Sequence, residues 1–300
     1  MSKILITGAT GFVGPNLTES LLAEYKVEPL TARYKPEQIF AFDAEAIIHL
    51  AGKAHDLKKV SIPQDYYEAN FELTKQLFDA FLTSNTTTFV FISSVKAAAD
   101  EVVGVLTEEI VANPLTHYGK SKLMAEQYIF SKEIPNNKRV YVLRPCMTHG
   151  KGNKGNLNLL FGIVKKGIPY PLGSFDNKRS FLSIDNLCFV IKELISRADI
   201  PSGIYNVADD MPISTSRIIT LMGEVMNKKA SILHINKAIV TKLAKIGDFL
   251  RLPLNTERLT KLTESYVVDN AKIIKALGKN LPISAEKGLK LTLQYFKNEG

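Results

Sequence analysis

The chain has 300 residues, 45% of them hydrophobic and 23% charged, which is enough apolar material for a sizeable core and excludes a disordered chain. Two widely separated cysteines exclude a disulfide framework, and the five histidines lack metal-ligand spacing, so we predict no metal site. The formal charge of +8 suits an anionic ligand, whereas no Arg-rich tract or nucleic-acid module is present, so we predict no nucleic-acid partner.

Short β-branched runs alternate with longer segments of helical period in the first half of the chain. This order predicts an α/β fold with a doubly wound parallel sheet of the Rossmann type. The predicted strands are residues 3–7, 27–32, 46–50, 88–93 and 139–143, and the helices between them are 12–23, 65–83 and 117–131. The segment between the second and third strands is short and contains Pro36, so no full crossover helix is expected there.

A change of character follows Pro145, where a loop rich in Gly, Asn and Lys leads into further helices and short strands. We predict two lobes. Residues 1–150 form the first, residues 181–210 return to it, and residues 151–180 and 211–300 form a smaller C-terminal α/β lobe. The chain shows no signal peptide and no apolar stretch of bilayer length, so we expect a cytoplasmic protein without a membrane span.

A glycine-rich turn directly follows the first predicted strand and opens the first helix. Backbone amides in such a turn approach a pyrophosphate at the helix N-terminus, where the helix dipole favours negative charge. The candidate dinucleotide-binding residues are Gly8, Thr10, Gly11, Phe12, Val13 and Gly14. The second strand is followed by Arg33, with no carboxylate to hold the ribose of NAD. Arg33 could pair with the 2′-phosphate of NADP or be a solvated surface residue, so NAD and NADP both stay open.

Tyr118 and Lys122 lie four residues apart, which places them on one face of a predicted helix. A free phenol titrates near ~10 and is a poor base at neutral pH, and a nearby ammonium group favours the phenolate. Lys120 points elsewhere on the same helix and is the internal control. Ser93 and Ser94 end the fourth strand, at the edge where open α/β sheets bind ligands. One of these serines is expected to cap the strand end, and the other to contact a substrate hydroxyl.

These motifs, in this order, resemble the extended short-chain dehydrogenase/reductases of the NAD-dependent epimerase/dehydratase family, which includes UDP-glucose 4-epimerase. The matching stretches between Lys3 and about Leu277 are the glycine loop, His49-Leu50-Ala51-Gly52, Asn70, Ile92-Ser93-Ser94, Tyr118-Gly119-Lys120-Ser121-Lys122, Leu143-Arg144-Pro145 and Arg179-Ser180-Phe181. The run Ser93–Lys96 and the loop 152–158 look closest to bacterial enzymes acting on UDP-N-acetylhexosamines, which are 4-epimerases and 4-keto-sugar reductases of surface-polysaccharide pathways.

The resemblance implies a role for each matching residue. Tyr118 would be the catalytic base, Lys122 its electrostatic partner and the anchor of the nicotinamide ribose, and Ser94 the partner of a substrate hydroxyl. The other residues that it implies are Leu50, Ala51, Gly52 and Asn70 at the cofactor, Asn156 and Arg179 at the nucleotide diphosphate, and, as a looser match, Arg258. It also implies a homodimer formed through helices that include residues 117–131.

Two departures from the family pattern bear on the reaction. Ala97-Ala98-Ala99 replaces the usual Val-Tyr-Gly after the catalytic serine, and the acid after the second strand is missing. Three hypotheses follow. The first is a UDP-sugar 4-epimerase with bound nicotinamide, the second is an NADPH-dependent reductase of a 4-keto-6-deoxy nucleotide sugar, and the third is a non-catalytic NAD(P)-sensing protein.

Overall fold

The computed structural model describes residues 1–54, 62–153, 155–250 and 255–299. Two residues considered above, His55 among the histidines and Lys154 in the loop 152–158, lie outside the described residues. In chain order, the strands are β1 (Lys3–Thr7), β2 (Lys26–Leu30), β3 (Ala46–His49), β4 (Thr88–Ile92), β5 (Val105–Leu106), β6 (Arg139–Pro145), β7 (Met147–His149), β8 (Phe181–Ser183), β9 (Gly203–Val207) and β10 (Val267–Val268).

The helices alternate with these strands along the chain. They are α1 (Val13–Leu21), α2 (Pro63–Tyr67), α3 (Leu73–Thr83), α4 (His117–Ser131), α5 (Asn156–Lys165), α6 (Ile184–Ser196), α7 (Thr215–Met226), α8 (Lys237–Leu250), α9 (Thr256–Thr263), α10 (Ala271–Leu277) and α11 (Ala285–Glu299). Within the described ranges, none of these helices is long and apolar enough to cross a membrane.

Six strands form one parallel sheet in the order β2-β1-β3-β4-β6-β9, which confirms the predicted α/β class. The chain leaves β1 towards β2 on one side and returns to β3 on the other. The carboxyl ends of β1 and β3 therefore form a topological switch point, where doubly wound sheets bind ligands. As expected from Pro36, residues 31–45 between β2 and β3 contain neither helix nor strand.

Both faces of the sheet are covered, because alternate residues of each strand pack into different apolar clusters. In β1, Ile4 and Ile6 pack with residues of α1 and α6, whereas Leu5 packs with residues of α3 and α4. A third cluster joins α5, α7, α8, α9 and α11 without a strand of the main sheet. β9 and α6 belong to the sheet and its covering layer, and residues 266–277 also pack there. The division into two domains stays a prediction.

One predicted helix has a different form. The segment 65–83 was expected to be a single helix, but it consists of α2, a π-helical segment Glu68–Glu72 and α3. A π-helix is wider than an α-helix and often occurs at functional sites. Asn70, in the middle of the π-helical segment, is fully buried. Its contacts belong to the candidate site.

Candidate active site

The glycine loop brings the end of β1 against the end of β3. Gly8 has φ of +67°, and a Cβ atom at this position would lie 2.7 Å from the backbone nitrogen of Ala51. A side chain is therefore excluded both by conformation and by space. The loop is closed by the N–H of Gly11, which donates to the carbonyl of Gly8 at 3.0 Å. Gly52 follows Ala51 in the loop after β3, next to this close approach.

The N-terminus of α1 is open to a ligand. Its N-cap residue Phe12 makes no side-chain capping bond, and the first turn carries no acidic residue. Thr10 and Gly11 in front of it are exposed, Phe12 and Val13 are partly buried, and Gly14 is buried. Uncapped N–H groups and the positive end of the helix dipole make this an anion-binding position.

A cavity of about 520 Å³ adjoins the same edge of the sheet. It is lined by residues that follow β2, residues that follow β3 and residues of the α2–α3 region, namely Ala32, Arg33, Tyr34, Ala51, Gly52, Lys53, Ala54, Asp65, Glu68, Ala69 and Leu73. Arg33 thus lines a cavity next to the loop after β3, and its role at the cofactor stays a prediction. Carboxylates from Asp65 and Glu68 line it too, so the charges on its wall do not select between NAD and NADP.

His49 connects the first and third strands through a buried chain of hydrogen bonds. The hydroxyl of Thr74 donates to the carbonyl of Asn70 (2.7 Å) and so accepts from His49 Nε2 (2.9 Å). His49 Nδ1 then accepts from the Thr7 hydroxyl (2.7 Å), which in turn accepts from the N–H of Ala51 (3.1 Å). Burial, aided by the charge of Lys122, lowers the pKa of His49 to about 3, so the ring is neutral and structural.

Asn70 holds the loop after β3 in place. Its Oδ1 accepts from the N–H of Lys53 (2.7 Å), and its Nδ2 donates to the Lys53 carbonyl (3.0 Å) and to the Ser121 hydroxyl (3.0 Å). Both amide hydrogens are used within the protein, so Asn70 positions Gly52 and offers no donor to a ligand. The π-helical segment brings this amide to the loop. Leu50, predicted beside the cofactor, is partly buried and packs against the core on the α1 side.

Tyr118, Ser94 and Lys122 meet at the carboxyl edge of β4. Ser94 caps the short 3₁₀ turn Val95–Ala97 and accepts from the N–H of Lys96 (3.2 Å). Helix α4 packs tightly on this turn because a Cβ atom at Gly119 would lie 2.3 Å from the Lys96 carbonyl. The partly buried Tyr118 thereby lies beside Ser94, close enough for the Ser94 side chain to affect its pKa.

Lys122 is buried under the same edge. Its Nζ donates to the carbonyl of Ile92 (2.8 Å) and lies 4.6 Å from the centre of the Phe91 ring. A Cβ atom at Gly52 would lie 3.1 Å from this Nζ, so Lys122 also adjoins the loop after β3. Lys120 is exposed, as expected for the other side of the helix.

The electrostatics of the Tyr118–Lys122 pair differ from the expectation. Burial raises the pKa of Tyr118 above 10.0, and the neighbouring Ser94 side chain only partly opposes this rise. Burial also lowers the pKa of Lys122 to about 7, although Glu126 opposes this change. Lys122 has therefore lost its proton before the phenol ionises, and its charge does not depress the pKa of Tyr118 in this state.

A buried ion pair beneath the site was missed by the sequence analysis. Glu126, one turn beyond Lys122, forms a salt bridge with Arg144 of β6 in which the shortest contact is 2.5 Å, and both side chains are almost fully buried. The hydroxyl of Ser93 also donates to Glu126. Ser93 is thus the structural member of the serine pair. The sequence pattern that indicates Glu126 as a neighbour of the site is its i, i+4 spacing from Lys122, which places both residues on the Tyr118 face.

Arg179 belongs to a second cluster, on the other side of the Ser94 turn. Its guanidinium donates to the carbonyls of Lys261 and Glu264 at the end of α9 and lies 3.4 Å from the Glu264 carboxylate. The backbone of Arg179 bridges to Tyr266, whose hydroxyl donates to the carbonyls of residues 95 and 99. Burial lowers the pKa of Arg179, which is already paired with protein groups.

Lys96 lies between the Ser94–Tyr118–Lys122 group and the Arg179 cluster. The sequence did not indicate Lys96 as a site residue. Its Nζ donates to the carbonyl of Asp100 (2.6 Å) and lies 4.3 Å from the centre of the Tyr266 ring. Burial lowers the pKa of Lys96, the carboxylates of Asp100 and Glu264 oppose this change, and the charge of Arg179 adds to it. The wall that follows Ser94 therefore carries two cations together with their carboxylate neighbours. Its sequence signal was the lysine next to the run Ala97-Ala98-Ala99.

The remaining predicted substrate residues lie at helix starts. Asn156 is exposed at the first residue of α5 and takes no part in the hydrogen bonds described above. Arg258 is exposed in the first turn of α9, where its N–H donates to the side chain of Asn255 (2.8 Å). Their placement at the substrate diphosphate stays a prediction. Across the described residues, no group of three or more His, Cys, Asp and Glu side chains could hold a metal ion.

Comparison with known proteins adds independent findings. Residues 4–208 match the model of the NAD dependent epimerase/dehydratase family. The chain is 30% identical to a UDP-glucose 4-epimerase of Vibrio cholerae, over 98% of this chain and 95% of the relative. It is 26% identical to a GDP-6-deoxy-D-mannose reductase of Pseudomonas aeruginosa, over 77% of this chain and 83% of the relative.

The fold also has solved counterparts. The crystal structure of a UDP-glucuronic acid 4-epimerase from Bacillus cereus in complex with NAD superimposes with a TM-score of 0.75, at 19% identity, and the match covers 99% of each chain. This likeness agrees with the parallel sheet and its switch point. Taken with the family match over residues 4–208, it leads to one conclusion: the chain belongs to the NAD-dependent epimerase/dehydratase family.

Proposed function

We propose that the chain is a nucleotide-sugar 4-epimerase that acts on a UDP-hexose or UDP-N-acetylhexosamine through transient hydride transfer to a bound nicotinamide. One observation carries the proposal. Tyr118 lies beside Ser94 at the end of β4 and one helical turn from Lys122, on the same sheet edge as the glycine loop. The similarity to the UDP-glucose 4-epimerase of V. cholerae supports this reaction class.

The residues present fit a dinucleotide. Gly8 approaches the Ala51 backbone so closely that position 8 has no room for a side chain. The uncapped start of α1 offers N–H groups to a diphosphate. The cavity beside Arg33 would receive the adenosine end. Lys122, buried next to Gly52, would hold the nicotinamide ribose. A bound nicotinamide would supply the hydride acceptor and donor for C4 of the sugar.

Proton transfer at the sugar is assigned to Tyr118. Its phenolate oxygen takes the proton of the 4-hydroxyl as the C4–H bond breaks, and the phenol returns that proton to the C4 oxygen when the other face of C4 is reduced. Ser94 hydrogen-bonds the same oxygen and orients it. Burial disfavours the phenolate, and Lys122 is charged only below about pH 7 in the cofactor-free protein. Stabilisation of the phenolate therefore requires that Lys122 is protonated when cofactor and substrate are bound.

The diphosphate of the substrate is assigned to the wall that follows Ser94. Lys96 lies close enough to Arg179 for the Arg179 charge to lower its pKa, and both side chains are partly desolvated. A diphosphate at this wall would accept charge-assisted hydrogen bonds from both cations. Asn156 and Arg258, which are exposed at helix starts, are assigned to the same diphosphate on the resemblance alone.

Incubation of the purified protein with UDP-N-acetylglucosamine or UDP-glucose, without added cofactor, tests the proposal. We expect the galacto epimer of at least one substrate. Tyr118→Phe should lower turnover at least about 10³-fold with little change in thermal stability. Tyr128→Phe is the matched control, because Tyr128 lies on the same helix and its hydroxyl donates to Asp79, outside the site. Near-normal turnover of Tyr118→Phe would refute the assignment.

Reduction of a 4-keto-6-deoxy nucleotide sugar by NADPH is the second candidate, and Arg33 is the observation that favours it. Its guanidinium lines the cavity beside the glycine loop and could pair with a 2′-phosphate. Oxidation of NADPH by such a keto sugar, without epimerisation of UDP-hexoses, would decide for this reaction. Binding of NAD(P) with no conversion of either substrate would support a non-catalytic sensor.

We further propose that the protein is a cytoplasmic homodimer formed through α4. Two large apolar side chains of this helix, Met124 and Phe130, are exposed by 37% and 39% in the single chain. Burying them against a second copy would remove apolar surface from water. Sedimentation velocity measures the oligomeric state, and Phe130→Glu should shift a dimer towards monomer. A wild-type monomer would refute this part of the proposal.

A further inference from the structure

Helix α8 carries large apolar side chains that remain exposed to solvent. These residues, with their exposed fractions, are Ile239 (53%), Leu243 (50%), Ile246 (51%), Phe249 (88%) and Leu250 (56%). The neighbouring side of the helix is packed into the third apolar cluster through Val240 and Ala244. The helix thus has a conventional buried face and, in addition, a second apolar face, which we call the α8 stripe.

The stripe is continuous along the helix. At 3.6 residues per turn, Ile239, Leu243, Ile246 and Leu250 fall within roughly 60° of arc, so they form a single ridge about three turns long. Phe249 stands beside the ridge. Contiguous exposed apolar surface of this kind marks contacts with a partner or a membrane.

Helix α8, which carries the stripe, is fixed to α9 by hydrogen bonds and packing. At the C-terminal end of α8, the carboxylate of Asp248 accepts hydrogen bonds from the N–H (2.9 Å) and the hydroxyl of Thr256, which opens α9. Leu259 of α9 is buried in the same apolar cluster as Val240. The exposed apolar groups are therefore presented by a packed helix.

The charges around the stripe indicate its partner. Lys242 and Lys245 are exposed on either side of Phe249, on the side of the ridge away from Val240 and Ala244, and the whole chain carries a formal charge of +8. A second copy docked on this stripe by two-fold symmetry would bring lysines against lysines. An anionic lipid surface offers both the apolar layer for the ridge and phosphates for the ammonium groups.

We propose that α8 docks the protein on a bilayer that contains anionic phospholipids. The ridge lies in the plane of the membrane at the boundary of headgroups and acyl chains, and Lys242 and Lys245 reach up to lipid phosphates. This docking is peripheral and does not depend on the proposed epimerase activity. The carbonyls of Lys261 and Glu264 on α9 accept from Arg179, so the docked unit adjoins the candidate site.

Co-sedimentation of the full chain with extruded vesicles tests the proposal. One set of vesicles is phosphatidylcholine alone, and the other contains about one third phosphatidylglycerol. We expect clear binding to the anionic vesicles, weaker binding to neutral vesicles, and loss of binding at high salt. The double variant Ile246→Ser/Phe249→Ser and the double variant Lys242→Glu/Lys245→Glu should each bind at least about tenfold more weakly.

Matched controls separate the stripe from general effects. Val103→Ser/Val111→Ser removes apolar side chains elsewhere that are at least as exposed, and Lys228→Glu/Lys229→Glu makes the same charge change on another surface. Both should bind as the wild type does, and circular dichroism verifies the fold of every variant. The proposal is overturned if the wild type ignores anionic vesicles or if control and stripe variants lose binding equally. If the wild type self-associates and only Ile246→Ser/Phe249→Ser loses this self-association, the stripe binds a second copy of the chain, and the membrane proposal is overturned.

Discussion

Replacing Lys122 with methionine should stabilise the protein in the absence of cofactor, because the wild type buries an ammonium group with little compensation. The side chain is 4% exposed. Among the described residues, its Nζ has one hydrogen-bond acceptor, the Ile92 carbonyl at 2.8 Å, and a ring contact with Phe91. Methionine has a similar length and would fill the same space without a charge.

The size of the effect follows from the pKa. Burial lowers the pKa of Lys122 from 10.5 to about 7, which corresponds to an unfavourable free energy of roughly 5 kcal/mol at pH well below 7. The unbonded Ile92 carbonyl in the variant costs about 1–3 kcal/mol in return. The expected net gain in the free energy of unfolding is therefore about 2–4 kcal/mol at pH 6.

The sign of the pH dependence can be checked directly. As pH rises through about 7, the folded wild type releases this proton, whereas the unfolded chain keeps it up to 10.5. The unfolded state then binds more protons, so the wild type gains stability with pH across this window. The variant lacks this gain, and its advantage should fall to near zero by about pH 9.

Urea unfolding of cofactor-free protein at both pH values, followed by circular dichroism, measures the difference. Lys120→Met is the control, because Lys120 is exposed on the same helix and its replacement should change stability by less than about 0.5 kcal/mol. A variant at Lys122 that is destabilised at pH 6, or whose difference from wild type is the same at both pH values, would show that burial of the charge is not the dominant effect.

Three further changes test other parts of the site. Glu126→Gln leaves the Arg144 charge buried and unpaired, so urea unfolding should show a loss of about 3–5 kcal/mol; a loss below 1 kcal/mol would contradict the assigned burial of the pair. Gly8→Ala places a Cβ atom 2.7 Å from the Ala51 nitrogen and should weaken NAD(P) binding at least about tenfold in a fluorescence titration, and unchanged affinity would argue against the proposed cradle. Ser94→Ala should lower kcat about 10²-fold or more with KM little changed, and a change confined to KM would assign Ser94 to binding alone.

The α/β class and the order of its elements could be predicted because the signals are local. Helix α4 has the predicted bounds, since the Thr116 hydroxyl accepts from the N–H of Gly119 and marks its start. β1 also begins and ends where the predicted strand 3–7 does. The π-helical segment Glu68–Glu72 was not predicted. The hydrophobic pattern of this segment continues that of α3, so it predicts one continuous α-helix. The wider π-helical turn occurs where the Asn70 side chain makes its buried hydrogen bonds to Lys53 and Ser121.

The sequence by itself determined which chemical groups are available and in what order they occur. The glycine turn after a strand, the serine at a strand end and the Tyr118–Lys122 spacing are short-range patterns, and short-range geometry follows from backbone periodicity. Only the tertiary structure determined which of these groups are buried, charged or paired. Burial lowers the pKa of Lys122, α9 carbonyls occupy the guanidinium of Arg179, and Arg144 pairs with Glu126 across the sheet edge. Desolvation and pairing depend on residues far apart in the chain, because an ionised side chain responds to everything packed around it in space.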